Sequence, residues 1–198
     1  MQASEPEERS REAEWISRVV VADDHAAFER LMQMHQSSVR QFLRRLTGYD
    51  PGRADDLAQE TFFKAYRYIH TYRGEGRFLS WLFRIAYQQF VSEERRHKKQ
   101  FVALPDDLKI GTDNEKTIIA ARTVERMMGL LRADERAAVL LHYRHELTHL
   151  EISETMGLPL GTIKSLIRRS REKLKRFYES KPDARQPWNK DILNANSV

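Results

Sequence analysis

The amino-acid sequence predicts an all-α protein with two helical domains joined by a flexible linker, the second of which contains a helix-turn-helix. Apolar residues recur with a period of about 3.6 residues along most of the chain, whereas the alternation typical of strands is nearly absent. The composition changes near residue 100, where FVALPDDLKIGTDNEK has no sustained period. Towards the carboxyl end, HLEISETMGLPLGTIKSLI has the residue types of a helix-turn-helix at a suitable spacing.

The composition limits the function classes. The chain has 198 residues, with 34 Lys and Arg against 29 Asp and Glu, a net charge of +5 and a pI near 9.5, which is compatible with a nucleic-acid partner. Cysteine is absent, which excludes a disulfide framework, a thiol nucleophile and a cysteine-ligated zinc. No apolar run could cross a membrane, and the opening MQASEPEERSREAEW is too polar for a signal peptide. We therefore expect a cytoplasmic protein without membrane insertion and without a cofactor.

The first strongly periodic helix follows a cap at Asp23 or Asp24 and ends at Gly48. Residues 1–20 precede it as an N-terminal extension. The positions that repeat along one face of this helix are Phe28, Leu31, Met32, His35, Val39, Phe42, Leu43 and Leu46.

Two further helices complete the first predicted domain. Pro51-Gly52 indicates a turn, after which Asp55 or Asp56 opens a helix. Two glycines within residues 73–77 indicate a loop, and the next helix closes on a basic run at 95–99. The apolar faces of these two helices carry Ala58, Phe62, Ala65, Tyr66 and Ile69, and then Phe78, Trp81, Leu82, Ile85 and Ala86.

Helical periodicity resumes near Lys116 and continues to Tyr178. The remaining tail has two prolines and little pattern, so we expect it to be mostly disordered. The predicted organisation is an N-terminal extension (1–20), a first helical domain (21–99), a linker (100–115), a helix-turn-helix domain (116–179) and a C-terminal tail (180–198).

The predicted helix-turn-helix has a buried side formed by Leu150, Ile152 and Met156 in its first helix and by Ile163, Leu166 and Ile167 in its second. Gly157 stands where the turn needs a positive φ, which glycine adopts most easily. Its second helix presents outward side chains that can donate hydrogen bonds to phosphates or base edges. These are Thr162, Lys164, Ser165, Arg168, Arg169 and Arg171. Although a basic helix end can simply be solvated, the agreement of turn, core and charge favours duplex DNA as the partner.

The residues HELTH at 145–149 match the His-Glu-x-x-His signature of zinc hydrolases, in which both histidines must lie on one helix. Thr148 and Glu151, however, form a predicted capping box that starts a new helix between His145 and His149. His142 makes a looser metal candidate with these two histidines. A zinc hydrolase therefore remains a remote alternative, and we expect a turn between two helices.

DDLAQETFFKAYRYIHTYRGEGRFLSWLFRIAYQQF at 55–90, followed by GLPLGTIKS at 157–165, resembles bacterial RNA polymerase sigma factors of the extracytoplasmic-function (ECF, group IV) subfamily. Members of this subfamily have only the second and fourth conserved regions of sigma factors, joined by a linker. The resemblance covers about residues 20–178. It implies that the domain at 21–99 is region 2 and that the domain at 116–179 is region 4.

The resemblance implies binding to core RNA polymerase, with its β′ and β subunits. In the family, an Asp-x-x-Gln-Glu helix binds the coiled coil of β′. The matching residues here are Asp55, Asp56, Gln59, Glu60 and Lys64. Without the resemblance, an ordinary solvated helix face would be the preferred interpretation of these residues.

The segment after this helix resembles the region that melts the −10 promoter element. Catching unstacked bases requires aromatic faces and basic groups. The matching residues are Tyr72, Arg73, Arg77, Phe78, Trp81, Arg84, Gln88, Arg95 and Arg96, and Lys98 and Lys99 extend the basic run. Phe78 and Trp81 could instead be core residues, which for Trp81 is slightly favoured. Gln88 stands where the family commonly has asparagine, which bears on the −10 preference.

For the −35 element, the resemblance places Lys164, Ser165, Arg168 and Arg169 in the major groove. Leu166 replaces an arginine of the family pattern, which we interpret as the loss of one hydrogen-bond donor. Arg132 stands where a helix-starting proline is common. The acidic linker is expected to thread towards the product channel of the polymerase.

We therefore predict a transcription initiation subunit, without catalytic activity of its own, that brings core polymerase to promoters and recognises −35 and −10 elements. A stand-alone helix-turn-helix regulator that does not bind polymerase is the alternative, and the aromatic loop at 72–84 discriminates between them, since such a regulator has no use for it. Members of the family are often held inactive by an anti-sigma protein, which makes such a protein a candidate partner.

Overall fold

The computed structural model describes residues 5–100 and 125–179, with side chains from residue 7 to 96 and from 125 to 179. The chain divides into two compact units, residues 1–103 and 104–198. The described residues of both units form helices, turns and loops and contain no strand. The segments at 101–124 and 180–198, which include most of the predicted linker and the whole predicted tail, lie outside the described residues.

The first unit contains four α-helices, α1 (Glu5–Ala22), α2 (His25–Leu46), α3 (Pro51–Tyr68) and α4 (Phe78–Gln100), with a short 3₁₀ helix (Ile69–Thr71) after α3. Helix α2 packs against α1, α3 and α4, and α3 also packs against α4. The side chains of Phe42, Phe78, Phe83 and Phe90 are among the largest that are fully buried. The N-terminal extension predicted at 1–20 therefore consists largely of a helix that is part of this unit.

Both predicted ends of α2 are confirmed. Asp24 is the cap, because its Oδ1 accepts a hydrogen bond from the backbone N–H of Ala27 at 3.0 Å. This bond and a second one from Arg18 lower the pKa of Asp24. After the helix, Gly48 has a φ of +67°, in the left-handed region that favours glycine.

The predicted start of α3 at Asp55 or Asp56 is wrong, because the helix begins at Pro51. Asp50 caps it by accepting a hydrogen bond from the backbone N–H of Arg53 at 3.1 Å. Proline suits this first position, where its fixed φ is helical and its missing N–H would have had no partner within the helix. Pro51 and Gly52 thus form the first turn of α3 rather than a turn before it.

In the second unit, residues 125–129 are helical and are followed by α5 (Ala133–Tyr143), α6 (His149–Met156) and α7 (Leu160–Glu179). Its core is formed by buried aliphatic side chains: Leu131, Ala137, Ala138, Leu141, Leu147, Ile152, Ile163 and Ile167. The prediction that Leu150 belongs to this core is wrong, since it is 60% exposed. Leu150 is only the second residue of α6 and projects from the first turn into solvent.

Among the described residues, no helix is both long enough and apolar enough to span a membrane.

Candidate nucleic-acid interface

Helices α6 and α7 form the predicted helix-turn-helix. Thr148 starts α6 with a capping box: its Oγ1 accepts from the N–H of Glu151 at 3.3 Å, while Glu151 Oε2 accepts from the N–H of Thr148 at 2.8 Å. Gly157 ends α6 with a φ of +66°, and its N–H donates to the carbonyl of Ser153. Ser153 Oγ donates to the carbonyl of Leu158 at 2.5 Å, which ties the turn to the helix. The predicted cap, glycine and turn are all confirmed.

The same geometry removes the basis for the zinc alternative. His145 lies beyond the end of α5 and His149 is the first residue of α6, with Glu146 between them at a φ of +56°. The ring of His142 packs 4.9 Å from that of His149, and its Nδ1 lies 3.0 Å from the carbonyl oxygen of Leu147. Within residues 7–96 and 125–179, no group of three His, Asp or Glu side chains is arranged to hold a metal.

The outward face of α7 carries the predicted DNA-binding side chains. Thr162, Lys164, Arg168 and Arg169 are exposed, while Ser165 and Arg171 are half-buried. Arg168 pairs with Glu172 one turn later at 2.8 Å, and Arg169 Nε donates to the carbonyl of Ser165 at 3.3 Å. The charge of Lys164 also reaches back to α6, where burial, His142 and Lys164 together lower the pKa of His149. This face is therefore cationic except at Glu172.

Leu166 lies in the core, as the sequence predicts, and its interpretation as the loss of one hydrogen-bond donor stays a prediction. Leu166 is 4% exposed and packs on the buried side of α7 with Ile163 and Ile167. Leucine at this position therefore contributes apolar surface to the core.

In the first unit, three of the residues predicted to melt DNA form one aromatic cluster, Tyr72, Phe78 and Trp81. The ring of Phe78 stacks on that of Trp81 at 5.3 Å and meets that of Tyr72 edge-on at 5.2 Å, while Tyr72 and Trp81 are 5.8 Å apart. Tyr72 and Trp81 are half-buried, but Phe78 is 1% exposed. Phe78 is thus the buried base of the cluster, and only the other two rings can be reached from solvent.

The predicted basic groups lie at the surface, with Arg73 and Arg77 next to Tyr72 and Phe78 in the sequence. Arg73, Arg77 and Arg84 are exposed, as is Gln88 one turn further along α4. Arg95 and Arg96 are exposed near the end of the same helix, and the side chains of Lys98 and Lys99 lie outside the described residues. The structure thus places accessible aromatic rings beside cations, which is the combination that binds single-stranded nucleic acid.

The polar residues predicted to bind polymerase lie on one face of α3. Asp55, Asp56, Gln59 and Glu60 are exposed, and Lys64 is half-buried. Lys64 Nζ donates to the buried side-chain oxygen of Gln89 on α4 at 2.6 Å and lies 3.5 Å from Glu60. Lys64 therefore links this face to α4 as well as contributing to it.

Phe63 belongs to the same face and was missed in the sequence. It lies four residues after Gln59 and three after Glu60, so these side chains are neighbours on the helix surface. Phe63 is 64% exposed, unusual for so large an apolar ring. The sequence contains a signal for this exposure. Phe62 occupies a buried position of the helical pattern, so the next residue, Phe63, must point away from the core.

Comparisons with known proteins identify both units. Residues 31–100 match the model of Sigma-70 region 2, and residues 121–174 match that of Sigma-70 region 4. The ECF RNA polymerase sigma factor SigM of Bacillus subtilis is 35% identical over 157 residues, which cover 76% of this chain and 94% of SigM. The chain belongs to the ECF family of RNA polymerase sigma factors. The ECF sigma-E factor of Haemophilus influenzae is 30% identical over 164 residues, covering 75% of this chain and 86% of that protein.

Two solved structures share the fold of this ECF sigma factor. The sigma factor RpoE of Bartonella quintana, crystallised with the anti-sigma factor NepR, superposes with a TM-score of 0.63 at 21% identity, covering 77% of this chain and 96% of RpoE. CnrH, solved with the cytosolic domain of CnrY, superposes with a TM-score of 0.64 at 20% identity, covering 86% of this chain and 98% of CnrH. Both likenesses concern the fold.

As a member of this family, the ECF sigma factor is a transcription initiation factor that binds core RNA polymerase and promoter DNA. The two alternatives weighed from the sequence, a stand-alone DNA-binding regulator and a zinc hydrolase, find no support.

Proposed function

We propose that the ECF sigma factor divides promoter recognition between its units: the aromatic cluster (Tyr72, Phe78 and Trp81) captures bases of the −10 element, and α7 reads the −35 element. The observation that carries this proposal is the pair of accessible rings, Tyr72 and Trp81, beside exposed arginines. A protein that only binds duplex DNA has no use for such rings, because bases in a duplex are stacked on each other. Phe78 contributes by holding the other two rings in place.

On α7, the exposed Lys164, Arg168 and Arg169 are suited to the major groove, where cationic side chains bind phosphates and guanine edges. The ion pair between Arg168 and Glu172 is solvent-exposed and therefore weak, so Arg168 is released at little cost when DNA binds. Thr162, Ser165 and Arg171 complete this surface.

We assign the exposed face of α3 to core polymerase, with β′ as the contacting subunit. Asp55, Asp56, Gln59 and Glu60 offer acceptors around the exposed Phe63. A large ring surrounded by polar groups is the usual composition of an interface hot spot, because the rim excludes water from the apolar contact. Phe63 is therefore the expected centre of this contact.

The remaining parts of the proposal concern organisation. Residues 21–99 act as region 2 and residues 116–179 as region 4, with the linker at 100–115 between them. The protein acts in the cytoplasm, has no catalytic activity of its own, and leaves phosphodiester chemistry to the polymerase. Because RpoE of Bartonella quintana was solved with an anti-sigma factor, a protein of that kind is the regulatory partner that we propose.

The test is run-off transcription by reconstituted holoenzyme on a promoter that the wild-type holoenzyme has selected from a random-sequence DNA library. Trp81→Ala is expected to assemble with polymerase but to transcribe the duplex promoter about tenfold less, because one base-stacking contact is lost. Tyr68→Ala, which removes an exposed ring four residues before Tyr72, is the matched control. If Trp81→Ala and Arg73→Ala both transcribe like wild type, the aromatic cluster does not bind the −10 element.

A further inference from the structure

Helix α1 makes a nearly buried contact beneath the aromatic cluster. Glu12 Oε1 lies 2.6 Å from Nε2 of His35 on α2, and the side chains are 18% and 10% exposed. A carboxylate and an imidazole this close form a strong hydrogen bond, and shielding from water strengthens it further. The bond therefore fixes both the position of α1 on α2 and the orientation of the His35 ring.

His35 passes this constraint to the cluster. Its ring centroid is 5.7 Å from that of Phe78, which is the buried base on which Tyr72 and Trp81 rest. Phe78 is the first residue of α4 and is almost fully buried, so its position depends on the groups packed around it. The contacts thus run without interruption from Glu12 to the two rings that solvent can reach.

Glu12 also acts on Tyr72 through its charge. Burial raises the pKa of the Tyr72 phenol, and the negative charge of Glu12 raises it further. The neutral hydroxyl donates to the carbonyl of Gly76 at 2.9 Å, across the loop between the 3₁₀ helix and α4. Helix α1 also packs against this 3₁₀ helix, which immediately precedes Tyr72. The loop that carries Tyr72 is therefore influenced by α1 in two ways, through the charge of Glu12 and through the packing on the 3₁₀ helix.

We propose that Glu12 and His35 are positioning residues that hold the aromatic cluster in the arrangement that captures a −10 base. This inference rests on the proposed role of the cluster in melting. Base capture needs a preformed stacking surface, because ordering mobile rings at the moment of opening would add an entropic cost to an already unfavourable step. Glu12 precedes the residues matched to Sigma-70 region 2, which begin at 31, so this support comes from outside the matched region.

The experiment compares Glu12→Gln with Glu8→Gln in the full chain. Both changes replace a carboxylate by an amide on α1, but Glu8 is exposed. Each variant is assembled with core polymerase and tested on the library-selected promoter, once as a duplex and once with its −10 region held open by mismatches. A second measurement follows the ¹⁹F resonance of Trp81 in protein labelled with 5-fluorotryptophan. The chain contains three tryptophans, and the Trp81 resonance is assigned as the one that is missing in Trp81→Phe.

Glu12→Gln is expected to lower transcription of the duplex roughly five- to tenfold, as the loss of one charge-assisted hydrogen bond would, and to stay within about twofold of wild type on the open template. Its Trp81 resonance is expected to shift, while Glu8→Gln matches wild type in each measurement. If Glu12 only stabilised the fold, Glu12→Gln would lower transcription from both templates alike, because less folded protein would be present.

Three outcomes would overturn the inference. Glu12→Gln could match Glu8→Gln on the duplex, it could lose activity equally on both templates, or it could leave the Trp81 resonance unshifted. If Trp81→Ala is defective while Glu12→Gln is normal, this inference alone fails. If Trp81→Ala is itself normal on the duplex, the proposed role of the cluster fails and the inference fails with it.

Discussion

Lys173 on α7 forms an ion pair with Glu135 on α5, with Nζ 2.7 Å from Oε2 and 2.8 Å from Oε1. The Glu135 side chain is only 5% exposed, and its Oε2 also accepts from the backbone N–H of Arg132 at 3.0 Å. This contact joins α7, the second helix of the helix-turn-helix, to α5 in the same unit. The bond from position 132 depends on a residue other than proline there, since the proline common in the family has no N–H to donate.

Lys173→Ala is expected to destabilise the second unit by about 1–3 kcal/mol, because it leaves a buried carboxylate without its cation. Urea unfolding of the full chain, followed by circular dichroism, measures the change. Lys175→Ala is the control, because Lys175 and its partner Glu179, 3.7 Å away, are each 60% exposed. Removing this lysine leaves no buried charge unpaired. Equal stability of the two variants would show that the Lys173 pair contributes nothing.

The same pair predicts a pH dependence. Burial alone would raise the pKa of Glu135, but the bonds from Lys173 and Arg132 outweigh it, so the pKa lies below its ordinary 4.5. Glu135 therefore stabilises the fold above about pH 4.5, and this contribution is lost as the pH falls through the lowered pKa. In Lys173→Ala, burial is expected to dominate the pKa of Glu135, and protonation of its carboxylate at low pH removes the unpaired buried charge. The difference between the urea midpoints of wild type and variant is expected to be smaller at about pH 4 than at pH 7. A larger difference at the lower pH would refute this assignment.

Gly157 and Gly161 provide a matched pair in the helix-turn-helix. A Cβ at either position meets no atom within 4 Å, but only Gly157 has a positive φ, of +66°. Gly157→Ala is therefore expected to cost about 1–2 kcal/mol through backbone strain alone. Gly161→Ala, within α7, is expected to be neutral or to stabilise by up to about 1 kcal/mol. Thermal unfolding of the two variants checks the difference, and a reversed order would contradict the proposed turn.

Arg169→Ala is expected to weaken binding of the holoenzyme to the selected promoter and to reduce the dependence of log K on log salt by about one unit, the value for one phosphate contact. Fluorescence anisotropy at a series of salt concentrations measures both quantities. Arg176→Ala, near the end of α7, provides the comparison. An unchanged salt slope in Arg169→Ala would mean that Arg169 makes no phosphate contact.

Glu172→Gln is expected to raise promoter affinity about two- to fivefold, because it removes a carboxylate that pairs with Arg168 and that would repel the phosphates of DNA bound to this face. The same anisotropy assay measures this gain. Lower affinity in this variant would indicate that Glu172 orients Arg168 for DNA rather than competing for it.

The sequence was most informative where a local rule has one physical solution. Thr148, Glu151 and Gly157 specify the ends of α6, because a capping box and a left-handed residue depend on few neighbours. Leu150 was assigned to the buried side of its helix but is exposed, since periodicity alone does not determine how far a core extends around a helix. The contact between Glu12 and His35 could not be predicted, because it joins residues 23 positions apart on different helices.

The central claim is that α3 binds core RNA polymerase, and co-elution on a sizing column with core polymerase free of other sigma factors tests it most directly. The account predicts stoichiometric co-elution, weakened by Asp56→Ala with Gln59→Ala and also by Phe63→Ala. Glu29→Ala with Gln33→Ala is the control, because it also removes one exposed carboxylate and one exposed amide, but from α2. Co-elution of the α3 variants at the wild-type level would contradict this claim, as would failure of the folded protein to bind a core preparation that accepts another sigma factor.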